Sequence, residues 1–154
     1  MDLSLIEIIM KSKSGGMMGG RRLSRELALK ILFQIDLAHS NLQDVTKYTF
    51  GEDEYTDDVK DFCLELVKGV EEHISDIDLT IKKYTDNWSL ERITNIDRNI
   101  LRMAICEILF LDDIPKSVSI NEAVELSKKY GTNSSFSFVN GVLGKIDKKM
   151  LKDK

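Results

Sequence analysis

The segment TNIDRNILRMAICEILFLDDIP, residues 94–115, decides the fold. Its apolar residues recur at intervals of three and four, as in an α-helix with a buried face: Ile96, Ile100, Leu101, Ala104, Ile105, Ile108 and Leu111. Thr94 and Asp97 have the capping-box spacing that opens a helix. Pro115 ends it, because proline lacks an amide hydrogen and restricts the residue before it. The segment therefore predicts one long, buried helix.

Two further helices are predicted after this segment. Ser119 and Glu122 repeat the capping-box spacing, and Gly131 marks the end of the helix that they open. Ser134 or Ser135 caps the last helix. Its predicted core stripe follows a 3-4-3-4 spacing: Phe136, Val139, Leu143, Ile146 and Met150.

Three helices are predicted before the segment. The first, over about residues 24–39, is apolar nearly all round, which is typical of a helix at the centre of a bundle. An acidic connection, residues 41–58, leads to a second helix over 57–73, and Ser75 caps a third. Trp88 marks a break, and no segment alternates as a strand does. The fold class is therefore all-α, a bundle of six to seven helices.

The first residues are predicted to be separate from the domain. Residues 11–20, KSKSGGMMGG, have the composition of a linker, and Met17 or Met18 could be the start of translation. We therefore expect residues 1–18 to be a disordered or artefactual extension and residues 19–154 to form the domain. Acids near the amino terminus argue against a signal peptide, and no apolar run approaches the ~20 residues of a membrane span. The cytoplasm is the expected location.

The composition gives no support for catalysis or a metal site. The 154 residues are 42% hydrophobic and 31% charged, as in one ordinary globular domain. Cys63 and Cys106 lie among apolar neighbours and are predicted core residues. Joining them with His39 and His73 in a metal site would require convergence without a local ligand motif. We find no catalytic triad and no phosphate-binding loop, so neither an enzyme nor a cofactor is expected.

The charge is unevenly distributed, although the net charge is only −4. Residues 11–25 contain five basic side chains and no acid, whereas residues 52–78 contain eleven acids and two lysines. Arg21, Arg22 and Arg25 oppose the dipole of the helix that they precede, which favours an anionic partner such as phosphate. Solvated helix faces are the alternative explanation.

The last helix combines an aromatic ring with cations on one face. Phe138, Val142 and Lys145 fall close together at 100° per residue, and rings beside cations suit single-stranded nucleic acid. Alternatively, Phe138 extends the core with Val142. A nucleic-acid-binding role predicts that Arg25→Ala and Phe138→Asp weaken that binding while the melting curve stays nearly unchanged.

Three blocks occur in an order that resembles a known family. They are LERI…DR.ILR.A..E, IP…SINEAVEL and FVNGVL, with RRLSRE…LFQ at the front. This combination, over about residues 19–148, is similar to the NusB (N-utilization substance B) family of bacterial transcription antitermination factors. The resemblance implies two packed three-helix groups and a non-catalytic adaptor. It also implies pairing with NusE, a ribosomal small-subunit protein, and binding of boxA RNA for the RNA polymerase antitermination complex, notably on ribosomal RNA operons.

The resemblance also implies roles for individual residues. The positions matching the family's RNA surface are Arg21, Arg22, Arg25, Ser137, Phe138 and Lys145. Those matching its protein-partner side are Phe33, Glu91 and Asp97, although Asp97 also has its predicted capping role. Ser137 is often basic in relatives, so fewer phosphate contacts and a flatter salt dependence are expected.

Two alternatives remain open at this point. One is a stand-alone relative of the NusB-like domain of ribosomal RNA methyltransferases. The other is a helical protein-interaction or dimeric scaffold without specific RNA recognition. Because self-association covers the RNA surface in some family members, a homodimer and an adaptor do not exclude each other.

Overall fold

The computed structural model describes residues 20–152 and, for side chains, residues 20–149; the predicted extension 1–18 and the predicted core side chain of Met150 lie outside these limits. Within them the chain forms seven α-helices, one 3₁₀-helix and no strand, which confirms the all-α prediction. They are α1 (Gly20–Ala38), α2 (Leu42–Gly51), α3 (Asp57–Glu72), α4 (Ile74–Tyr84), the 3₁₀-helix (Leu90–Arg92), α5 (Asn95–Phe110), α6 (Lys116–Tyr130) and α7 (Ser135–Lys152).

The helices fall into two compact units, whose boundary lies inside α3 between Glu65 and Leu66. In the first unit, α1 is buried around its whole circumference over residues 24–29. Burial of Leu27, Ala28 and Leu29 follows from its apolar sequence, whereas burial of Ser24, Arg25 and Glu26 does not. The hydroxyl of Ser24 lies 2.7 Å from the carbonyl oxygen of Val59 and connects α1 to α3. Lys30 forms a 2.6 Å ion pair with Glu52, just after α2.

Helix α2 corrects the prediction of an acidic connection. Asn41 caps it, because its side-chain oxygen accepts the amide hydrogens of Gln43 and Asp44. Only Val45 and Thr49 are buried in α2, so the helix has no continuous apolar stripe to reveal it.

The second unit is arranged around α5, which packs against α4, α6 and α7. Thr94 caps α5 as predicted, and its hydroxyl oxygen accepts the amide hydrogen of Asp97 at 3.3 Å. Arg102 holds α4 to α5 through two parallel hydrogen bonds to Asp78, of 2.9 and 3.0 Å. This fork geometry is the strongest form of arginine–carboxylate pair.

Two predicted caps in the second unit are wrong. Helix α4 starts at Ile74, so Ser75 lies inside its first turn and His73 occupies the cap position without a side-chain hydrogen bond. Helix α6 starts at Lys116, directly after Pro115, so Ser119 is likewise inside the helix. The buried hydroxyl of Ser119 instead donates a 2.9 Å hydrogen bond to Glu107 of α5.

The connection between α6 and α7 is closely packed around Gly131. A Cβ atom at this position would lie 2.7 Å from the backbone oxygen of Ser127 and 2.5 Å from Cβ of Ser135. Alanine has no room here, so glycine allows the chain to turn into α7.

The two cysteines, one in each unit, are buried and form no disulfide bond. Burial raises the pKa of Cys63 to about 12. A thiol with this pKa stays protonated at neutral pH and is therefore unreactive while it is buried.

Candidate nucleic-acid interface

The arginines of the first unit lie on the first turns of α1. Arg21 and Arg22 are exposed, and the guanidinium carbon of Arg21 lies 4.6 Å from the ring centroid of Phe62. A cation at a helix amino terminus costs about 0.3–1 kcal/mol, and α1 has no acid in its first turn to offset this cost. An exposed cation–π contact stabilises by a similar ~0.5–1 kcal/mol. The contact with Phe62 therefore holds Arg21 in place against the helix dipole.

Arg25 differs from the other two arginines because it is buried, with 3% of its surface exposed. Its guanidinium carbon lies 5.4 Å from the centroid of the same Phe62 ring. A side chain at this depth also packs through its methylene groups, so its truncation removes buried contacts. The prediction that Arg25→Ala leaves the melting curve unchanged is therefore replaced by an expected loss of stability.

The aromatic residue of the second unit is half-buried on α7. The ring of Phe138 stacks on Trp88, with centroids 6.1 Å apart and planes inclined by 17°. The guanidinium carbon of Arg92 lies 5.8 Å from the Trp88 ring. Ser137 and Lys145 are exposed on the same helix. The sequence indicated Phe138 but gave Trp88 only the role of a helix break.

Phe136 corrects the predicted core stripe of α7. It is 44% exposed, and the ammonium of Lys128 lies 5.9 Å from its ring. Ser135 occupies the inner position one turn before Val139, and its hydroxyl oxygen accepts the amide hydrogen of Thr132 at 2.8 Å. Since positions three and four residues before Val139 both flank the inner face, spacing alone does not separate them. Val139, Leu143 and Ile146 are buried as predicted.

The three residues assigned to a protein partner lie in different environments. Glu91 is exposed on the 3₁₀-helix. Phe33 is 1% exposed and belongs to the core of α1, so its ring does not present a face at the surface. Asp97 is also buried, with 7% of its surface exposed.

Asp97 joins the first turns of α5 and α7. Burial raises the pKa of its carboxyl group, while hydrogen bonds to Ser135 and Thr94 act in the opposite direction. Within the described residues, its Oδ1 atom is buried without a hydrogen-bond partner. An orphaned acceptor of this kind disfavours the ionised form.

This environment predicts a pH-dependent contribution of Asp97 to stability. The folded state holds the proton more tightly than the unfolded state, whose pKa is about 3.9. The free energy of unfolding therefore falls as the pH rises from that value through the higher folded-state pKa. The isosteric variant Asp97→Asn does not titrate. In urea melts at a series of pH values, we expect the stability of the unaltered protein relative to this variant to decline over that window. A rise instead would show that the hydrogen bonds outweigh burial.

Comparison with known proteins decides the family. The model described as the NusB family matches residues 22–148. The chain belongs to the NusB family. "Transcription antitermination protein NusB" of Desulforamulus reducens is 48% identical over 82% of this chain and 89% of that protein. The protein of the same name from Thermodesulfovibrio yellowstonii is 42% identical over 83% of this chain and 91% of its own length.

Solved NusB structures share the fold. NusB of T. maritima has a TM-score of 0.79 and 39% identity over 86% of this chain and 93% of that chain. A chain from the crystal structure of antitermination factors NusB and NusE in complex with dsRNA has a TM-score of 0.78 and 31% identity. The match covers 86% of this chain and 99% of that chain. The match to NusB structures confirms the fold class implied by the resemblance.

Two features are absent from the described residues. No helix in residues 20–152 is both long enough and apolar enough to cross a membrane. In the same part of this NusB-family chain, no group of three or more histidine, cysteine, aspartate or glutamate side chains is placed to hold a metal ion.

Proposed function

We propose that this chain is an RNA-binding adaptor of transcription antitermination that pairs with NusE and binds boxA RNA, notably during transcription of ribosomal RNA operons. In this proposal it acts in the cytoplasm, without catalysis or a cofactor, as part of the RNA polymerase antitermination complex. The observation that carries the proposal is the 31% identical NusB that was crystallised with NusE and dsRNA, since its match extends over most of both chains.

The exposed cations support RNA as the ligand. Arg21 and Arg22 are exposed in the first turn of α1, and that turn contains no acidic residue. Guanidinium groups bind phosphate through paired hydrogen bonds, so two exposed arginines suit a phosphate backbone. On α7, Lys145 adds an exposed cation to the helix that carries Phe138.

The acid-rich surface supports a basic protein as the second partner. Residues 52–78 carry eleven acids, and all seven of those in the first unit are exposed. A negative potential of this kind speeds the docking of a positively charged protein. NusE, a ribosomal protein, fits this chemistry. Of the three residues that match the family's protein-partner side, Glu91 is the exposed one, and we assign it as a contact with NusE.

Titration tests the RNA proposal. The protein, with and without NusE, is titrated against boxA RNA and a scrambled RNA at two salt concentrations. We expect tighter binding to boxA RNA, and we expect Arg22→Ala to weaken binding to both RNAs at low salt. If Arg22 contacts one phosphate, the slope of log K against log salt falls by about 0.7 for a single strand.

Matched variants separate binding from folding. Lys68→Ala removes an exposed cation from α3 and should leave RNA affinity unchanged. Arg25→Ala should lower the melting temperature, since Arg25 is buried. Equal affinity for the two RNAs in the presence of NusE would contradict the proposal and support a protein-binding scaffold. Sedimentation of the free protein separately tests the homodimer.

A further inference from the structure

Trp88 is a large apolar side chain held at the surface. It is 46% exposed, and one of its neighbours is the ring of Phe138, nearly parallel to it at 6.1 Å. The guanidinium of Arg92 lies 5.8 Å from the Trp88 centroid. These three side chains, which we call the Trp88 platform, come from the turn after α4, the 3₁₀-helix and the first turn of α7.

The backbone before Trp88 adopts an unusual conformation. Asp86 and Asn87 both have positive φ angles, of 54° and 61°. Aspartate and asparagine tolerate this region better than other residues that carry a side chain, but two in succession are uncommon. Hydrogen bonds from Asn87 N–H to the Lys82 oxygen and from Trp88 N–H to the Thr85 oxygen, of 2.9 and 3.1 Å, fix the turn. The position of Trp88 is thus set by the backbone before any ligand arrives.

The composition of the platform selects its occupant. A tryptophan face in water prefers a flat partner, and a nucleobase stacked on an aromatic side chain contributes through its π-face whatever its identity. The guanidinium of Arg92 can stack on a base or pair with phosphate. An apolar protein side chain would need no cation beside the ring. Exposed Lys145, two turns after Phe138, extends the positive charge along α7.

We infer that the Trp88 platform stacks one base of single-stranded RNA, with Trp88 as the principal stacking surface, Phe138 as its support and Arg92 as the cation that binds the adjoining phosphate. This inference rests on the proposed function, because it specifies where on the second unit the RNA is bound. It adds Trp88 and Arg92 to the residues that contact RNA.

Trp88 provides its own signal, since the chain contains one tryptophan. We expect saturating boxA RNA to quench its fluorescence, because an indole ring in stacked contact with a base forms a weakly emitting complex. Loss of one stacked base corresponds to ~1–3 kcal/mol, or about a 5- to 160-fold weaker affinity, for Trp88→Leu. Trp88→Phe, which keeps a flat ring, should retain most of the affinity. Arg92→Ala should weaken binding and lower its salt dependence.

A matched control, Phe136, lies on α7, the helix that carries Phe138. Phe136 is exposed to nearly the same extent as Trp88 and also lies near a cation, Lys128. Two residues apart on a helix, Phe136 and Phe138 are separated by about 200° around its axis. Phe136→Ala should therefore leave both RNA affinity and the quenching of Trp88 unchanged.

RNA variants locate the stacked base. Abasic nucleotides are placed one at a time along boxA RNA, and each RNA is titrated against the unaltered protein and Trp88→Leu. At one position the abasic site should weaken binding to the unaltered protein but not to the variant. That pattern identifies the base on Trp88 and is not produced by a general loss of folding.

The outcomes distinguish this inference from the function on which it rests. If the unaltered protein binds boxA RNA but Trp88 emission and Trp88→Leu affinity do not change, the platform is overturned and the proposed function stands. The inference is also overturned if Trp88→Leu lowers the melting temperature and the unaltered protein shows no quenching. It is likewise overturned if Trp88→Leu weakens the affinity for NusE but not the affinity for RNA. If the unaltered protein binds no RNA, both fail.

Discussion

Replacing Gly131 by alanine should lower the free energy of unfolding by about 1–3 kcal/mol, the usual cost of forcing an extra group into a packed site. The new Cβ would approach the backbone oxygen of Ser127 to 2.7 Å, and that oxygen already accepts the Gly131 amide hydrogen at 2.9 Å. It would also approach Cβ of Ser135 to 2.5 Å. Because backbone and Cβ atoms cannot rotate away, the start of α7 must shift. Urea unfolding followed by circular dichroism measures the loss.

Gly141 supplies the control for this prediction. It lies within α7, and a Cβ atom there would meet nothing within 4 Å. Alanine in an open helical position reduces the freedom of the unfolded chain and should stabilise the protein by about 0.4–1 kcal/mol. The two glycine-to-alanine changes are thus expected to have opposite signs. Equal effects would mean that close packing does not explain Gly131.

The second large effect is expected for Ser119→Ala, at about 1.5–3 kcal/mol of lost stability. Ser119 and Glu107 are both almost fully buried, and the serine hydroxyl donates to the glutamate carboxylate at 2.9 Å. Removing the donor leaves the buried carboxylate with one hydrogen bond fewer, and burial prevents water from replacing that bond. The midpoint of urea unfolding should therefore fall, with an unchanged slope.

Ser117→Ala tests whether this loss belongs to the buried hydrogen bond. Ser117 is exposed in the first turn of the same helix, so its replacement should change stability by less than about 0.5 kcal/mol. If both serine variants lose the same amount of stability, the loss would be due to their position near the start of α6 and not to the hydrogen bond with Glu107.

Segments with a strong apolar period were predictable, and helices defined by local polar contacts were not. The stripe of α5 and its Thr94 cap identified that helix from sequence alone. Helix α2 was missed because it buries only two residues, and its one local signal was the capping side chain of Asn41. Ser119 has the spacing of a cap, but tertiary packing gives its hydroxyl a partner on α5.

The sequence predicted the candidate site only where the residue type alone indicates that a side chain is exposed at the surface. Arginine usually lies at the surface, and Arg21 and Arg22 do. Arg25 is buried beside Phe62, a ring 37 positions later in the chain that helical spacing on α1 does not reveal. The stacking of Trp88 on Phe138 likewise joins residues 50 positions apart. Contacts of this kind depend on the packing of helices and are not encoded in a local pattern.

The buried thiols make the opening of each unit separately measurable. Cys63 belongs to the first unit and Cys106 to the second, and neither is accessible in the folded state. An alkylating reagent can therefore modify each one only during a transient excursion that exposes it to solvent. Mass spectrometry of peptides from a timed labelling reaction would give two independent rates, one for each half of the chain, without any engineered probe.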